Sequence, residues 1–368
     1  MRLRDLKLTN YRNCKDLGLN LESKKILIIG KNAQGKTNIL ESIYFLSTLK
    51  TPRTSNNIEL INFDAEKAEI NCNMLKAETD VELDYTYSRE KKRELAINKV
   101  KTTPKNFKSV LKTVLFSTAD LLLLRGNPSD RRDWLDRAIS QVYPAYDDKL
   151  SKYDKIRIQK NNLLKDYLKT GNLNETLLDV YNEQLVITGS NIIYLRIKFL
   201  KEIERIASEK HHIISETEKL GIKYDCSFLN METELEAIAS AFHQSLVERK
   251  IEEARRGQAC VGPHRDDIIF YINGNEATKF ASQGQQRTVV LALKLSELDI
   301  ITAKTGDEPV LLLDDVLAEL DDLRQNYLLK SISENTQTII TSVDTVLFEE
   351  EFLKDVKIYK IENGCISS

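Results

Sequence analysis

The N-terminal third of the chain shows apolar patterns that are typical of strands, with one helix among them. Residues 2–8 alternate apolar and charged, which predicts a strand, and residues 24–29 form an apolar run that predicts a strand buried on both faces. Helical spacing follows in residues 38–46. Residues 66–100 alternate in short runs. We interpret that stretch as an antiparallel meander.

Strand patterns return near the C-terminus. Residues 267–272 are followed by Asn273-Gly274, a dipeptide that favours a tight hairpin turn. The apolar runs at 310–313 and 338–342 predict two more buried strands. Strands at both ends of the chain, with helices between them, indicate an α/β domain assembled from the two ends.

The middle of the chain, from about 120 to 257, has apolar residues at three- and four-residue steps. One predicted helix covers residues 146–169 and ends at Gly171, a residue suited to a helix C-terminus. A second runs from about 175 to 218, with Gly189 as the candidate for an interruption. The short link between them predicts antiparallel packing. A helix of this length extends about 36 Å, which makes a short arm.

These patterns predict one α/β domain built from residues 1–119 and 258–368, with a helical insertion at 120–257. The α/β domain includes the meander, and the insertion forms the short antiparallel arm.

Composition restricts the function classes. The 368 residues are 41% hydrophobic and 30% charged, with a formal net charge of −2, so any basic surface must be local. No apolar run approaches the roughly 20 residues that span a bilayer. The alternating N-terminus is unlike a signal peptide, and we expect a cytoplasmic protein without membrane association. The five cysteines form no Cys-x-x-Cys pair, which argues against zinc or redox chemistry.

The main chemical motif is a phosphate-binding loop with the form G-x-x-x-x-G-K-[ST]. It lies between a predicted buried strand and a helix, the context that this pattern requires. Backbone N–H groups and the helix N-terminus would bind phosphate oxygens. Lys36 would reach the terminal phosphates, as a catalytic residue, and the Thr37 hydroxyl would bind Mg²⁺. The candidate ATP-binding residues of the loop are Gly30, Lys31, Asn32, Ala33, Gln34, Gly35, Lys36 and Thr37.

Two carboxylates end the predicted strand at 310–313. Asp314 and Asp315 would lie at the carboxyl edge of the sheet, where ligands bind in open α/β sheets. Asp314 fits a residue that supports Mg²⁺, directly or through water. Asp315 fits a catalytic base or a residue that positions the attacking water. Apolar strands often end in acidic residues without function, but the accompanying phosphate loop strengthens the functional interpretation.

A second anion site is indicated by Ser282-Gln283-Gly284-Gln285-Gln286-Arg287, which precedes a predicted helix. The alternative is a simple helix cap. In this order along the chain, the stretch resembles the Ser-Gly-Gly-Gln signature of ABC-type ATPases, with Gln283 in place of the first glycine. Residues 318–321 resemble the D-loop of that superfamily. The two resemblances imply that the α/β domain is an ABC-type ATPase head, with the helical insertion as a second lobe. The resemblance implies that Ser282, Gln283, Gly284, Gln285 and Asp321 act in trans, across a dimer, on a nucleotide held by the other subunit.

Further motifs accompany those already described, and together they extend over residues 8–13, 30–44, 115–121, 126–128, 131–136, 262–267, 282–287 and 313–321. On these segments the chain resembles, from end to end, the RecF family of bacterial recombination mediators. Two departures affect this resemblance. Ala33 stands where the family usually has glycine, and Thr118-Ala119 stands where Pro-Glu is usual.

This resemblance implies an ATP- and Mg²⁺-dependent homodimer that clamps duplex or gapped DNA, with slow, DNA-stimulated ATP hydrolysis. It implies a role at single-strand/double-strand junctions, with RecR and RecO as partners in loading RecA, and links to replication restart and the SOS response. Arg12 is added to the ATP-binding set on resemblance and position.

Three alternatives remain open. A transporter ATPase usually has a histidine after the strand that follows the two acids, and residues 338–344 contain none. A structural chromosome-organising ATPase of the SMC type would need much longer helices. An ATP-fuelled nuclease would need a further acidic metal cluster.

The most uneven charge distribution lies between Arg89 and Lys112, with nine basic residues and two acids. It is either ordinary solvated surface or a contact patch for the phosphates of duplex DNA. The candidate DNA-binding residues are Lys91, Lys92, Arg93, Lys99, Lys101 and Lys105.

Overall fold

The protein is described by a computed structural model that covers residues 1–54, 56–230 and 233–367. The strands are, in chain order, β1 (Arg2–Tyr11), β2 (Cys14–Asn20), β3 (Lys25–Ile29), β4 (Lys67–Lys76), β5 (Thr79–Ser88), β6 (Arg93–Ile97), β7 (Val100–Lys101), β8 (Thr113–Ser117), β9 (Leu220–Asp225), β10 (Asp267–Ile272), β11 (Asn275–Glu276), β12 (Val310–Asp314), β13 (Thr338–Ser342), β14 (Val356–Glu362) and β15 (Cys365–Ser367). The α-helices are α1 (Lys36–Thr48), α2 (Pro104–Val110), α3 (Pro128–Val142), α4 (Tyr146–Thr170), α5 (Glu175–Ser215), α6 (Leu235–Glu248), α7 (Lys250–Arg256), α8 (Ala277–Phe280), α9 (Gln283–Thr305), α10 (Asp322–Ser331) and α11 (Glu350–Leu353).

The chain divides into two compact units. Unit 1 comprises Met1–Leu122 and Arg287–Ser368, and unit 2 comprises Leu123–Gln286. Residues 258–286, which the sequence analysis assigned to the head, therefore lie in unit 2. The strand pattern at 267–272 was interpreted correctly, but this strand pairs with β9 of unit 2 rather than with the head sheets.

Unit 1 contains a six-stranded sheet in the order β15-β14-β3-β13-β12-β8. The pairs from β14 to β8 are parallel, so β3, β12 and β13 all end at one edge. The central strands are almost fully buried, which explains their continuous apolar sequences. This arrangement places the loops that follow Ile29 and Asp314 beside each other.

The second sheet of unit 1 has the order β2-β1-β4-β5-β6-β7. Strands β4 to β7 pair antiparallel with their sequence neighbours, which confirms the meander. Alternate side chains of β1, β4 and β5 pack with α1 in one hydrophobic core. The core positions α1, whose first residues belong to the phosphate loop.

Unit 2 contains the two predicted helices. Helix α4 ends just before Gly171, which adopts a φ of 70°. The Gly171 N–H donates to the Tyr167 carbonyl at 2.8 Å. Helices α4 and α5 pack together, and Lys149 near the start of α4 contacts Asn191 of α5 at 3.2 Å. Because a short link joins the helices, this contact requires the antiparallel arrangement that the sequence predicted.

Gly189 does not interrupt α5, which is continuous over 41 residues. A Cβ at this position would lie 2.5 Å from the Phe242 ring and 3.1 Å from the Tyr153 ring. Glycine is therefore used here for close helix packing rather than for a break, and only tertiary contacts reveal this.

Strand β9, which lies within the stretch from 120 to 257 that was assigned to a mostly helical insertion, was not predicted from the sequence. It pairs antiparallel with β10, from Leu220 opposite Ile272 to Asp225 opposite Asp267. The predicted hairpin at Asn273-Gly274 is confirmed, since the two residues have φ values of 51° and 81° and join β10 to β11. Among the described helices, none is both long and apolar enough to cross a membrane.

Candidate functional site

The phosphate loop connects β3 to α1 at the carboxyl edge of the parallel sheet. Gly35 precedes the helix with a φ of 108°, and a Cβ there would lie 2.8 Å from the Asn13 side-chain oxygen. The first turn of α1 contains no acidic residue, and no side chain caps the helix. Its backbone N–H groups are therefore suited to binding an anion. Lys31, Asn32 and Ala33 are exposed at the outer side of the loop.

Lys36 is almost completely buried, at 3% exposure, and its amino group points into the loop. The Nζ atom donates to the Gly30 carbonyl at 2.8 Å and lies 3.7 Å from Asp315 Oδ2. This position brings the Lys36 ammonium within reach of Asp315, the second of the two strand-end carboxylates. The spacing in sequence predicted both residues for the site, and the structure brings them together.

Asp314 is held by hydroxyl groups from two other segments. Its Oδ1 accepts hydrogen bonds from Thr37 Oγ1 at 3.0 Å and from Thr341 Oγ1 at 2.9 Å. Burial raises the pKa of the Asp314 carboxyl above its ordinary value, the two threonine bonds oppose this, and the neighbouring Asp315 adds to the increase. A carboxylate whose ionised form is destabilised in this way would gain from a nearby cation.

Asp315 has a left-handed backbone, with a φ of 50°. Aspartate tolerates this conformation better than most residues, although it carries a cost. The backbone N–H donates to Thr341 Oγ1 at 2.9 Å, while the buried Oδ1 has no hydrogen-bond partner within the described protein. An unpaired buried carboxylate oxygen is suited to accept a proton or to hold a water molecule.

The donor set around Thr37 fits Mg²⁺. It offers a hydroxyl and a carboxylate, both hard oxygen ligands, beside the loop that would hold phosphates. Mg²⁺ usually takes only one or two protein ligands and completes its shell with phosphate oxygens and water. Across the residues that the structure describes, no group of three or more His, Cys, Asp or Glu residues is arranged to hold a metal ion alone.

Ala33 adopts a φ of 65°, so the position that is usually glycine does use the left-handed region. An alanine there costs on the order of 1 kcal/mol. The next residue is fixed from the far end of the chain. The Gln34 side chain accepts from the Asn363 N–H at 2.6 Å, and its carbonyl accepts from the Gly364 N–H at 2.9 Å. The turn between β14 and β15 therefore supports the loop, which sequence reasoning did not predict.

Arg12 lies beside α1 but is already engaged by a carboxylate. Its Nε and Nη2 donate to the two oxygens of Glu41 at 2.8 and 2.7 Å, and Arg53 also binds Glu41. Burial opposes ionisation of Glu41, but the bonds from Arg53 and Arg12 dominate, so the pKa of Glu41 is lowered. Three of the five Arg12 N–H groups are used within the protein, including one to the Glu59 carbonyl. Any role of Arg12 at a nucleotide thus begins from this ion pair.

The residues of the predicted signature form a reciprocal helix cap at the start of α9. The Ser282 N–H donates to Gln285 Oε1 at 2.7 Å, and the Gln285 N–H donates to Ser282 Oγ at 3.2 Å. Ser282 and Gln283 are exposed, Gly284 is partly buried, and the Gln285 amide binds Glu218 at 2.6 Å. The helix-cap alternative is therefore present, and it leaves the Ser282 hydroxyl hydrogen on the surface.

The predicted D-loop residue Asp321 caps α10 by accepting from the Arg324 N–H at 3.0 Å. Arg324 Nε also donates to Thr288 Oγ1 at 2.8 Å, and Arg287 contacts Glu319 at 2.9 Å. Two arginines therefore link the D-loop to α9 just after the signature.

The six candidate DNA-binding residues are all exposed, five of them in or between β5, β6 and β7 and the sixth, Lys105, in α2. Three are paired with acids. Lys92 binds Glu90, Lys101 binds Glu94, and Lys99 binds both Glu82 and Asp84. The charge count along the sequence overlooked Glu82 and Asp84, which β5 brings beside β6. The patch is consequently less positive than the sequence indicated.

Thr341 and Glu41 are the main site residues that sequence reasoning missed. Thr341 contacts both strand-end carboxylates, yet in the sequence it is one threonine in an apolar strand. A hydroxyl at the carboxyl end of a strand that follows the Asp-Asp strand was the available signal. Glu41 carries no such signal, because its role depends on two arginines brought to it by the fold.

A phosphate loop and an Asp-Asp strand end on a sheet of this order define an ABC-type ATPase head. The sequence matches the family model described as the RecF/RecN/SMC N terminal domain over residues 2–367. Two solved Smc head structures share only the fold, at 15% identity, with TM-scores of 0.56 and 0.55, and each comparison covers 100% of this chain and at least 95% of the other.

The chain belongs to the RecF family. It is 38% identical over 368 residues to the protein called "DNA replication and repair protein RecF" of Bacillus velezensis, covering 100% of both chains, and 37% identical to the Bacillus subtilis protein of the same name, also over 100% of both. The solved structure of a recombination mediator protein described as RecF-ATP in the RecFOR pathway has a TM-score of 0.91 and 34% identity, covering 100% of this chain and 97% of the other. These comparisons confirm the family and the fold class that the sequence predicted.

Proposed function

We propose that this protein binds ATP with Mg²⁺ at the phosphate loop and acts as an ATP-dependent DNA-binding protein of recombinational repair. The observation that carries the proposal is the convergence of Lys36, Thr37, Asp314 and Asp315 at one sheet edge. The ATP-bound solved relative, which covers nearly the whole of both chains, supports it further.

In this proposal, Lys36 exchanges its bond to the Gly30 carbonyl for the terminal phosphates. Thr37 and Asp314 would hold Mg²⁺, which would supply charge stabilisation at the phosphates. Asp315 positions or deprotonates the attacking water with the carboxylate oxygen that has no protein partner. We expect slow hydrolysis that DNA stimulates.

The exposed cap at the start of α9 supports a dimer in which each subunit completes the nucleotide site of the other. The Ser282 hydroxyl and neighbouring N–H groups would contact the terminal phosphate across the interface, with Gln283, Gly284, Gln285 and Asp321 alongside. ATP would therefore be required for a stable homodimer, and hydrolysis would release it.

The dimer would clamp duplex or gapped DNA and help to load RecA at single-strand/double-strand junctions. The proposed partners are RecR and RecO, on the strength of the relative described in the RecFOR pathway. On the strength of family membership, the proposal includes a role in replication restart and the SOS response, in the cytoplasm. The basic residues around β6 and β7 are proposed contacts for the DNA backbone, although three of them are paired with acidic residues.

Analytical ultracentrifugation with and without ATP, Mg²⁺ and duplex DNA tests the proposal. We expect a monomer in the absence of ligands and a dimer with ATP. When hydrolysis is blocked, the dimer should dissociate from DNA more slowly. Lys36→Arg keeps the charge but should remove ATP-dependent dimerisation, because the planar guanidinium does not fit the loop as the ammonium does. Dimerisation by Lys36→Arg equal to that of the parent protein would refute the assigned role of Lys36.

A further inference from the structure

Unit 2 contains a cavity of about 440 Å³ that the proposed nucleotide chemistry does not use. Its lining comes from α3, α4, α5 and the loop that precedes β10, and includes four arginines. The volume lies in the range of roughly 300–1,000 Å³ that is typical of small-molecule sites. Every lining residue belongs to the same compact unit.

One of the four arginines is fully engaged at the base of the cavity. Arg196 donates to both oxygens of Asp136 at 2.9 Å and to the Pro263 carbonyl at 2.6 Å. Tyr224 continues this network by donating to Asp266 at 2.5 Å. The base is therefore a hydrogen-bonded network in which one guanidinium, that of Arg196, lies near two carboxylates, Asp136 and Asp266.

The other three arginines line the cavity from three different segments. Arg132 of α3 and Arg265 of the loop donate to main-chain carbonyls, of Asp266 at 2.7 Å and of Ala259 at 3.4 Å. Arg157 of α4 donates to Asp154 at 3.1 and 3.0 Å. Asp133 also lines the cavity, so three guanidinium groups face two carboxylates here. These three guanidinium groups come from residues that are far apart in sequence.

His264 lies among these arginines in a neutral form. Burial, helped by the nearby charges of Arg157, Arg265 and Arg132, lowers the pKa of His264 to about 3, and the hydrogen bond to the Ala259 carbonyl opposes this only in part. Its Nδ1 accepts from the Tyr153 hydroxyl at 2.7 Å, and its Nε2 donates to the Ala259 carbonyl at 3.3 Å. Both contacts are satisfied by one neutral tautomer. The imidazole is thus a fixed wall of the cavity and offers neither a charge nor a free proton acceptor.

We propose that this cavity binds a phosphate-bearing small molecule of about mononucleotide size. A single arginine can bind a planar carboxylate through two parallel bonds, whereas guanidinium groups from three directions suit the several oxygens of a tetrahedral phosphate. The bound phosphate offsets the repulsion among Arg132, Arg157 and Arg265. The remaining volume, beside the amides of Asn161 and Gln258, takes the organic part of the ligand. This site is separate from the phosphate loop.

Isothermal titration calorimetry on the full-length protein tests the proposal, with inorganic phosphate, pyrophosphate and adenosine monophosphate as probes at fixed ionic strength. All measurements use the Lys36→Ala background, which disables the phosphate loop. We expect binding in this background and a loss of about tenfold or more with Arg265→Gln, since a bond to a charged group is removed. Arg265 is exposed, so its variant should keep the parent melting temperature.

Arg205→Gln is the matched control, because it removes the same charge from an exposed position on α5 outside the cavity. Its affinity should equal that of the background protein. Arg265→Lys should lie between, since it keeps the charge but loses the fork of donors. Inorganic phosphate binding as tightly as adenosine monophosphate would identify a free anion as the ligand.

Two results would overturn the proposal. One is the absence of binding by all three probes. The other is binding that neither Arg265→Gln nor Arg157→Gln weakens. Neither outcome tests ATP binding at the phosphate loop, because Lys36→Ala disables the loop in every measurement. The two proposals therefore fail independently.

Discussion

At Asp314, the requirements of protein stability and of the proposed function are most clearly opposed. Its carboxylate is buried, accepts two threonine hydroxyls and adjoins a second carboxylate. These features suit a cation but disfavour the ionised group without one. The nucleotide-free protein therefore bears a cost that the proposed Mg²⁺ would remove.

Replacing Asp314 with asparagine should stabilise the nucleotide-free protein at neutral pH. The pKa of Asp314 is raised in the folded state, so the folded protein binds this proton more tightly than the unfolded chain does. Ionisation of Asp314 therefore lowers the free energy of unfolding as the pH rises from 3.8 to the pKa of the folded state. Above that pKa the loss of stability stays constant. Urea unfolding of both proteins should show the largest difference at pH 7 and none below pH 3.8.

The exposed Asp16 provides a control, since Asp16→Asn removes the same charge at the surface and should leave the free energy of unfolding nearly unchanged. A lower stability of Asp314→Asn at pH 7 would contradict the account.

Thr341→Val should impair ATP hydrolysis more than ATP binding. The Thr341 hydroxyl donates to the Asp314 carboxylate and accepts from the Asp315 N–H. Its loss therefore removes a restraint from both aspartates and leaves the contacts of the phosphate loop unchanged. The lost bonds should lower the free energy of unfolding by about 1–3 kcal/mol. Single-turnover hydrolysis and fluorescent nucleotide binding separate the two effects. Thr338→Val, on the same strand but at its other end, is the control, and equal loss in both variants would refute the assignment.

Among the elements, helix α5 shows how packing can override propensity. Glycine within a helix normally costs about 1 kcal/mol relative to alanine, which is why Gly189 suggested an interruption. Phe242, Tyr153 and Pro263 occupy the space that a side chain at this position would need. Their packing against Gly189 stabilises the helix where the glycine alone would weaken it.

Gly189→Ala should therefore destabilise the protein, by about 1–3 kcal/mol, although alanine favours helices. Thermal unfolding measures the effect. Gly18→Ala is the control, because a Cβ there meets nothing within 4 Å. Phe242→Leu, which shortens the contacting side chain, should recover part of the loss in the double variant. A stabilised Gly189→Ala protein would show that α5 and α6 can separate.

Much of unit 1 was predictable from sequence, because its elements are defined by local patterns. The phosphate loop, the Asp-Asp strand and the meander each have a short signature, and strand alternation is a direct consequence of backbone geometry. Unit 2 was harder. Strand β9 is stabilised by pairing with β10, about 45 residues later, and such pairing leaves little local trace.

For the whole molecule, the proposed dimer makes the position of Ser282 decisive. Ser282→Arg should abolish ATP-dependent dimerisation and leave nucleotide binding by the monomer unchanged. The added side chain projects from the exposed start of α9, where a second subunit would have to approach. Sedimentation and fluorescent ATP binding give the two readouts. Loss of monomer binding would place Ser282 in its own subunit's site instead.

The DNA proposal also belongs to this scale, because backbone contacts sum over a surface. Changing Lys99, Lys101 and Lys105 to glutamate should weaken duplex binding and reduce the slope of log affinity against log salt, since fewer counterions are released. The matched control changes the exposed Lys152, Lys155 and Lys169 of α4. Fluorescence anisotropy at several salt concentrations compares them. An equal slope in both triple variants would remove the β6–β7 patch from the interface.

Sequence alone determined the family, the phosphate loop, the two strand-end carboxylates and the main strands, because each depends on neighbouring residues or on short fixed spacings. Tertiary structure decided which acids neutralise the basic patch, that Thr341 joins the two carboxylates, and that residues 258–286 belong to unit 2. It also gathered three arginines around His264. These features depend on residues that are distant in the chain, and only the folded packing specifies which of them meet.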